Sequence, residues 1–158
     1  MQSERRRKID YEALARFRYE IRRFLNFSGS AARAAGLEPQ QHQALLAIEA
    51  LPSGLSPTVG ALAERLQIHH NSAVELSRRL QSKGLVERIR GDSDARVVFL
   101  RLTPRGRSLL ERLSLSHRAE LRDAGPRLIA ALRAAISHGV ASKERPKNRR
   151  TSHARPSR

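Results

Sequence analysis

The sequence predicts a mostly α-helical domain with one small β-hairpin. Three observations carry this prediction. Apolar residues recur at steps of three and four through most of the chain, while the segment 97–102, VVFLRL, instead alternates in β-branched and apolar residues. Immediately before the hairpin, two short helical segments stand back to back with only a polar run between them.

From residue 9 to about 35, Ile9, Leu14, Phe17, Ile21, Phe24 and Leu25 fall mostly three or four apart with arginines between them, which predicts a long amphipathic helix. Gly36 ends it, and Pro39 suits the first turn of a second helix carrying Leu45, Leu46, Ile48 and Leu51. The PSGLSP segment, 52–57, breaks the chain again, and either Ser56 or Thr58 is placed to cap a short third helix through VGALAERLQ. After Ile68 comes the polar run HHNS, expected as a tight turn, and then AVELSRRLQSK, which Gly84 closes. LVERIR and VVFLRL flank a GDSD turn and predict the hairpin, with Val98, Leu100 and Leu102 on one face. Thr103 and Pro104 then supply a cap and a first position for a helix to about residue 122. A break is expected at 123–126, followed by a last helix through Leu128, Ile129, Leu132 and Ile136. From Ser142 onward apolar periodicity is lost and positive charge dominates, the composition of a disordered tail. The expected organisation is a single domain over 1–140 with a basic tail over 141–158.

Composition narrows the function. Lysine and arginine total 31 against 15 acidic residues, a formal net charge of +16, so the expected partner carries phosphate, nucleic acid ahead of membrane. No stretch approaches the roughly 20 consecutive apolar residues of a spanning helix, and the basic run in MQSERRRKID has no apolar segment behind it, so a soluble cytoplasmic protein is expected. Absence of cysteine excludes disulfides, thiolate zinc sites and thiol redox sensing. The absence of tryptophan and the scarcity of other aromatics disfavour base-stacking platforms and an RNA-associated role. No catalytic or nucleotide-binding motif is present, so neither an enzyme nor a cofactor is expected. Six histidines invite a metal, but His69 and His70 are adjacent and His42 and His117 isolated in sequence, so no metal site is expected.

The order helix, turn, helix, hairpin is that of a winged helix-turn-helix, in which the second helix enters the major groove and the wing reaches the backbone or minor groove. The segment LAERLQIHHNSAVELSRRLQSKGLVERIRGDSDARVVFLRLTPRGRSLL, 62–110, closely resembles the core of MarR-family transcription regulators. The matching pieces are the LAERL helix, the RLQSKGLVER exit from the recognition helix, and a D-x-R wing (Asp94, Arg96) followed by LTPRG. That resemblance implies a homodimer on a pseudopalindromic operator, usually a repressor released by a small ligand. It assigns 9–35 and 105–138 as dimerisation helices, interlocked across the two-fold axis, and 38–103 as the winged helix-turn-helix.

Candidate site residues follow. On the recognition helix the first turn and outward face, His69, His70, Asn71, Ser72 and Glu75, are expected at base edges; Asn can bond adenine through two groups and Glu accepts from the cytosine amine. Glu75 departs from the resemblance, because similar proteins often place a basic residue there; it either reads a cytosine or pairs with Arg78 or Arg79. Arg78 and Arg79 either touch phosphate or are solvated helix charges, and Lys83, Arg88 and Arg90 flank the wing where they can hold the backbone electrostatically. By resemblance Arg96 inserts in the minor groove and Asp94 orients the wing against the recognition helix, while Asp92 reads as a turn former. Ala95 also departs, since many relatives carry a charge there. Two basic ends, 5–8 and 143–158, read either as non-specific phosphate contacts or as solubilising arms.

The sequence therefore points to a double-stranded DNA-binding transcription regulator acting as a homodimer, with a basic architectural protein that coats DNA through charge as the alternative. By resemblance a small-molecule effector would sit between the dimerisation helices and the winged domain, near Phe17, Phe24, Leu45 and Leu113, residues that read equally well as core.

Overall fold

The computed structural model describes residues 10–92, 94 and 96–137. Ile9, Ala95, the basic run 5–8 and the tail 141–158 lie outside the described residues. Helix α1 (Tyr11–Ala34) starts where the Asp10 carboxylate accepts the Ala13 amide at 2.9 Å, satisfying a donor that helix N-termini leave open. Helix α2 (Pro39–Glu49) opens on the expected proline, and the Gln41 side chain reaches back to accept from the Glu38 amide at 3.0 Å. Of the two candidate caps for α3 (Val59–Leu66), Thr58 is the one used; its hydroxyl accepts from the Ala61 amide at 3.1 Å.

Helix α3 gives way to α4 (His70–Ser82) after three residues, Gln67 to His69, fewer than the sequence suggests. Gln67 takes the left-handed conformation at φ 53° and the Ile68 amide bonds the Ala63 carbonyl at 3.0 Å, which closes α3 and turns the chain at once. The HHNS run is therefore not a turn: His69 is the N-cap residue and the helix begins at His70. Gly84, at φ 67°, ends α4 as predicted.

Strands β1 (Val86–Arg90) and β2 (Val98–Leu102) pair antiparallel in the register Val86↔Leu102, Arg88↔Leu100 and Arg90↔Val98. Side chains alternate across a strand, so these six share one face and Glu87, Ile89, Phe99 and Arg101 share the other. A single bridge between Thr58 and Phe99 moors the hairpin to the start of α3. The core lies between α2, α3, α4 and the inner hairpin face, with Leu45, Leu76, Leu80, Val86 and Leu100 almost wholly excluded from water. On α4 the buried positions Ala73, Leu76, Ser77 and Leu80 step by three and four, leaving the opposite face to solvent.

One expectation is overturned. The break at 123–126 does not occur, and α5 runs from Pro104 to Ser137 as one helix with Pro126 inside it. Proline removes one backbone donor and crowds the carbonyl four residues back, a cost that packing of α5 against α1 offsets. Ala124 and Ala131 are buried, one on each side of the proline, and Arg127 bonds Asp123 one turn back at 2.9 Å while reaching Glu20 of α1 at 3.8 Å. These contacts bridge the site where the helix would otherwise part. Restoring the donor should strengthen it: Pro126→Ala is expected to stabilise the fold by about 1–3 kcal/mol, read as a higher thermal midpoint. A chain truly broken at this point would gain little.

Candidate nucleic-acid interface

The recognition-helix candidates come together on one surface. His69, His70, Asn71, Ser72, Glu75, Arg78 and Arg79 are all exposed, because the buried positions of α4 take the other face. Asn71, Ser72, Glu75 and Arg79 line a shallow depression of about 420 Å³, shared with Gln40 of α2 and Ile68. Of the two readings of Glu75, the free chain shows pairing: its carboxylate accepts from Arg78 at 2.6 Å.

The wing stands beside this surface. Strand alternation puts Arg88 and Arg90 on the same face as Leu100 and Val98, so both turn toward α4 and, with Arg78, Gln81 and Val98, enclose a second cleft of about 370 Å³. Burial, aided by the neighbouring Arg78 and Arg90 charges, pushes the Arg88 guanidinium down from its ordinary value, and Glu75 opposes that shift. On the outer face Glu87 and Arg101 neutralise each other at 2.6 Å.

At the tip, the Asp94 carboxylate accepts from the Arg96 amide at 2.9 Å and the Gly91 amide bonds the Val97 carbonyl at 2.9 Å. Asp94 thus fixes the tip's own backbone, where the resemblance implied contact with the recognition helix. Arg96 is exposed, with no ion pair among the described residues. Asp92 is likewise exposed. Lys83 is not at the wing: its ammonium donates to the Gly36 carbonyl at 2.9 Å, tying the end of α4 to the α1–α2 link.

Sequence reasoning missed Gln40 and Gln81. Gln81 lies three residues after Arg78 on the exposed face of α4, a spacing that signals proximity; Gln40 reaches the site only through tertiary packing. It also missed the meeting of His42 and His117, whose ring centroids lie 4.6 Å apart. His117 Nδ1 donates to the Leu113 carbonyl at 2.7 Å, so in the neutral ring Nε2 accepts from the Ser28 hydroxyl at 2.8 Å. His42 Nδ1 is buried without a partner. Leu45 and Leu113 are closed into the core, and Phe24 sets its edge against His117. No group of residues suited to hold a metal ion occurs among the described residues, and none of the described helices is long and apolar enough to cross a membrane.

A helix exposed along one face, a preceding helix three residues away and a basic hairpin beside both define a winged helix-turn-helix. Residues 35–97 match the sequence profile of the MarR family. The fold is shared with the YusO protein from Bacillus subtilis, 20% identical over 82% of this chain and 94% of the other, at a TM-score of 0.60. It is shared also with AbsC, a MarR family transcriptional regulator from Streptomyces coelicolor, 21% identical over 79% and 88%, at a TM-score of 0.64. The transcriptional repressor CouR, solved bound to a 23-mer DNA duplex, is 27% identical over 76% of this chain and 88% of its own, at a TM-score of 0.59. No curated protein matches the chain in sequence. The chain thus has the winged helix-turn-helix fold, and the MarR-family match lies on the part that builds it.

The histidine pair predicts a pH response. Burial first, and the neighbouring His117 second, lower the His42 value below 6.5, so the folded state binds its proton less well than the unfolded chain does. Stability is then full above 6.5 and is lost as pH falls through that value. Unfolding measured at about pH 8 and about pH 5 should show a shallower acid loss in His42→Leu than in the wild-type chain.

Proposed function

We propose that the chain is a sequence-specific, double-stranded DNA-binding transcription regulator that works as a homodimer on a pseudopalindromic operator, repressing until a small ligand releases it. The observation that carries this reading is α4: its exposed face offers Asn71, Ser72, Glu75 and Arg79 around one depression, with Arg88, Arg90 and Arg96 of the wing alongside. That is a base-reading helix flanked by phosphate-binding charge. The DNA duplex bound to CouR supports the same use of the fold here.

The homodimer is supported by apolar surface that one copy leaves open. On α1 Tyr11 is 74% exposed, and on α5 Leu115 and Ile136 are 68% and 73% exposed, with Tyr19, Leu25, Ile129 and Leu132 also open. A second copy covering α1 and α5 would bury this surface and set two recognition helices about 34–36 Å apart, one turn of the duplex. For the effector, burial of Leu45 and Leu113 narrows the candidate lining to Phe17 and Phe24.

A net charge of +16 is what favours the second reading, a protein that coats DNA with little sequence preference. The ratio of operator to random-duplex affinity at about 150 mM salt separates them: about 10³ or more is expected of the regulator, and a ratio near one would establish coating. Within the regulator reading, Arg96→Ala and Asn71→Ala are each expected to weaken operator binding by about 1–3 kcal/mol. Wild-type affinity in both would contradict the docking.

A further inference from the structure

The cleft between α4 and the inner hairpin face gathers three guanidinium groups, Arg78, Arg88 and Arg90. Among the described residues a single carboxylate answers them: Glu75 accepts from Arg78 at 2.6 Å, and its charge also acts on Arg88. Arg88 has an apolar cross-strand partner, Leu100, and its Nε is buried without a hydrogen-bond acceptor. Such a group lacks an anion, and a phosphate supplies several acceptor oxygens matched to the guanidinium fork. Glu75 also borders the second depression, beside Asn71 and Ser72. It therefore stands between the place where charge is unbalanced and the place where bases would be read.

We infer that the arginine cleft is a phosphate site and that Glu75 is its internal counter-ion. An entering phosphate takes Arg78 from Glu75, and the released carboxylate is left to accept from a base amine in the neighbouring depression. The exchange is easy because the Glu75–Arg78 pair is solvent-exposed on both sides, at 58% and 60%. Backbone phosphate and base reading become coupled through one side chain, which gives a purpose to an acidic residue in so basic a surface. The inference rests on the DNA-binding reading only in so far as the phosphate belongs to a duplex; free inorganic phosphate offers the same oxygens.

The test measures binding of wild-type chain, Glu75→Gln and Arg88→Gln to a random-sequence duplex across about 50–300 mM salt. In parallel, thermal unfolding of each is followed in inorganic phosphate at constant ionic strength. Arg88→Gln is expected to lower the slope of log K against log salt by about 0.9, the loss of one neutralised phosphate. Glu75→Gln, which no longer competes for Arg78, is expected to bind the random duplex about twofold to fivefold more tightly, the strength of one exposed ion pair. A phosphate-induced rise in the wild-type unfolding midpoint that Arg88→Gln lacks assigns the free ion, and a slope change without that rise assigns the DNA backbone. An unchanged slope in Arg88→Gln together with no phosphate-induced rise overturns the inference, as does a Glu75→Gln chain that binds the random duplex no more tightly than wild type. Because Glu75 is exposed, its substitution remains informative even if Arg88→Gln unfolds. A wild-type chain that bound no duplex at low salt would sink the regulator reading alone, and the phosphate measurement would still decide the cleft.

Discussion

Helix α5 begins so close to the end of α4 that its third residue has no room for a side chain. A Cβ built on Gly106 would lie 2.1 Å from the Leu85 carbonyl oxygen. Around this contact Thr103 works in three ways: its amide bonds the Leu85 carbonyl at 3.0 Å, its hydroxyl donates to the Gly84 carbonyl at 2.8 Å, and the same hydroxyl accepts from the Gly106 amide at 3.0 Å. The exit of the recognition helix, the base of the hairpin and the first turn of α5 are thereby one rigid joint. A second tie, between Arg107 of α5 and Glu49 of α2, stands one residue further on. The direction of the longest helix is set where the winged helix-turn-helix ends.

Much of the interface geometry descends from this joint. Once Leu85 and Val86 are fixed, the period of two along β1 leaves no choice about Arg88 and Arg90: they share the face of Val86 and turn toward α4. Charge is thus concentrated on the side of the hairpin that adjoins the recognition helix, while Glu87 and Arg101 cancel on the other. A one-residue slip in register would exchange these two faces and dismantle the cleft. Formal charge gives only the tendency to meet phosphate; the pleat decides where the charge is presented.

The elements were largely legible because each is written in local chemistry. Thr58, Pro39, Gly84 and the Thr103–Pro104 pair mark helix ends by capping and by φ, and all four mark them in the structure. The exposed face of α4 was legible for a similar reason, since burial of Ala73, Leu76, Ser77 and Leu80 dictates what remains outside. What escaped was non-local. Pro126 carries a local signal for a break, and packing of α1 against α5 helps to override it. His42 and His117 are 75 residues apart, and nothing in either neighbourhood announces a shared site. LTPRG was recognisable as a motif, yet the need for glycine within it is a contact with a carbonyl 21 positions earlier. Glu75 had two open readings because a carboxylate at that spacing suits a base amine or an arginine equally well; the free chain takes the arginine.

The contact at Gly106 couples α5 to the end of α4, and two identical substitutions in one helix separate that contact from helix propensity. Beyond its own chain neighbours Gly125 has nothing within 4 Å of its would-be Cβ, so Gly125→Ala should change stability by under about 1 kcal/mol, the gain in helix propensity being offset by crowding from the Pro126 ring. Gly106→Ala makes the same chemical change and should destabilise by about 1–3 kcal/mol, because backbone must move to admit the methyl group. The thermal midpoint should therefore fall clearly in Gly106→Ala and little or not at all in Gly125→Ala, with duplex binding lost only in Gly106→Ala. If Gly106→Ala unfolded and bound DNA like Gly125→Ala, the joint would not hold the molecule in the way described.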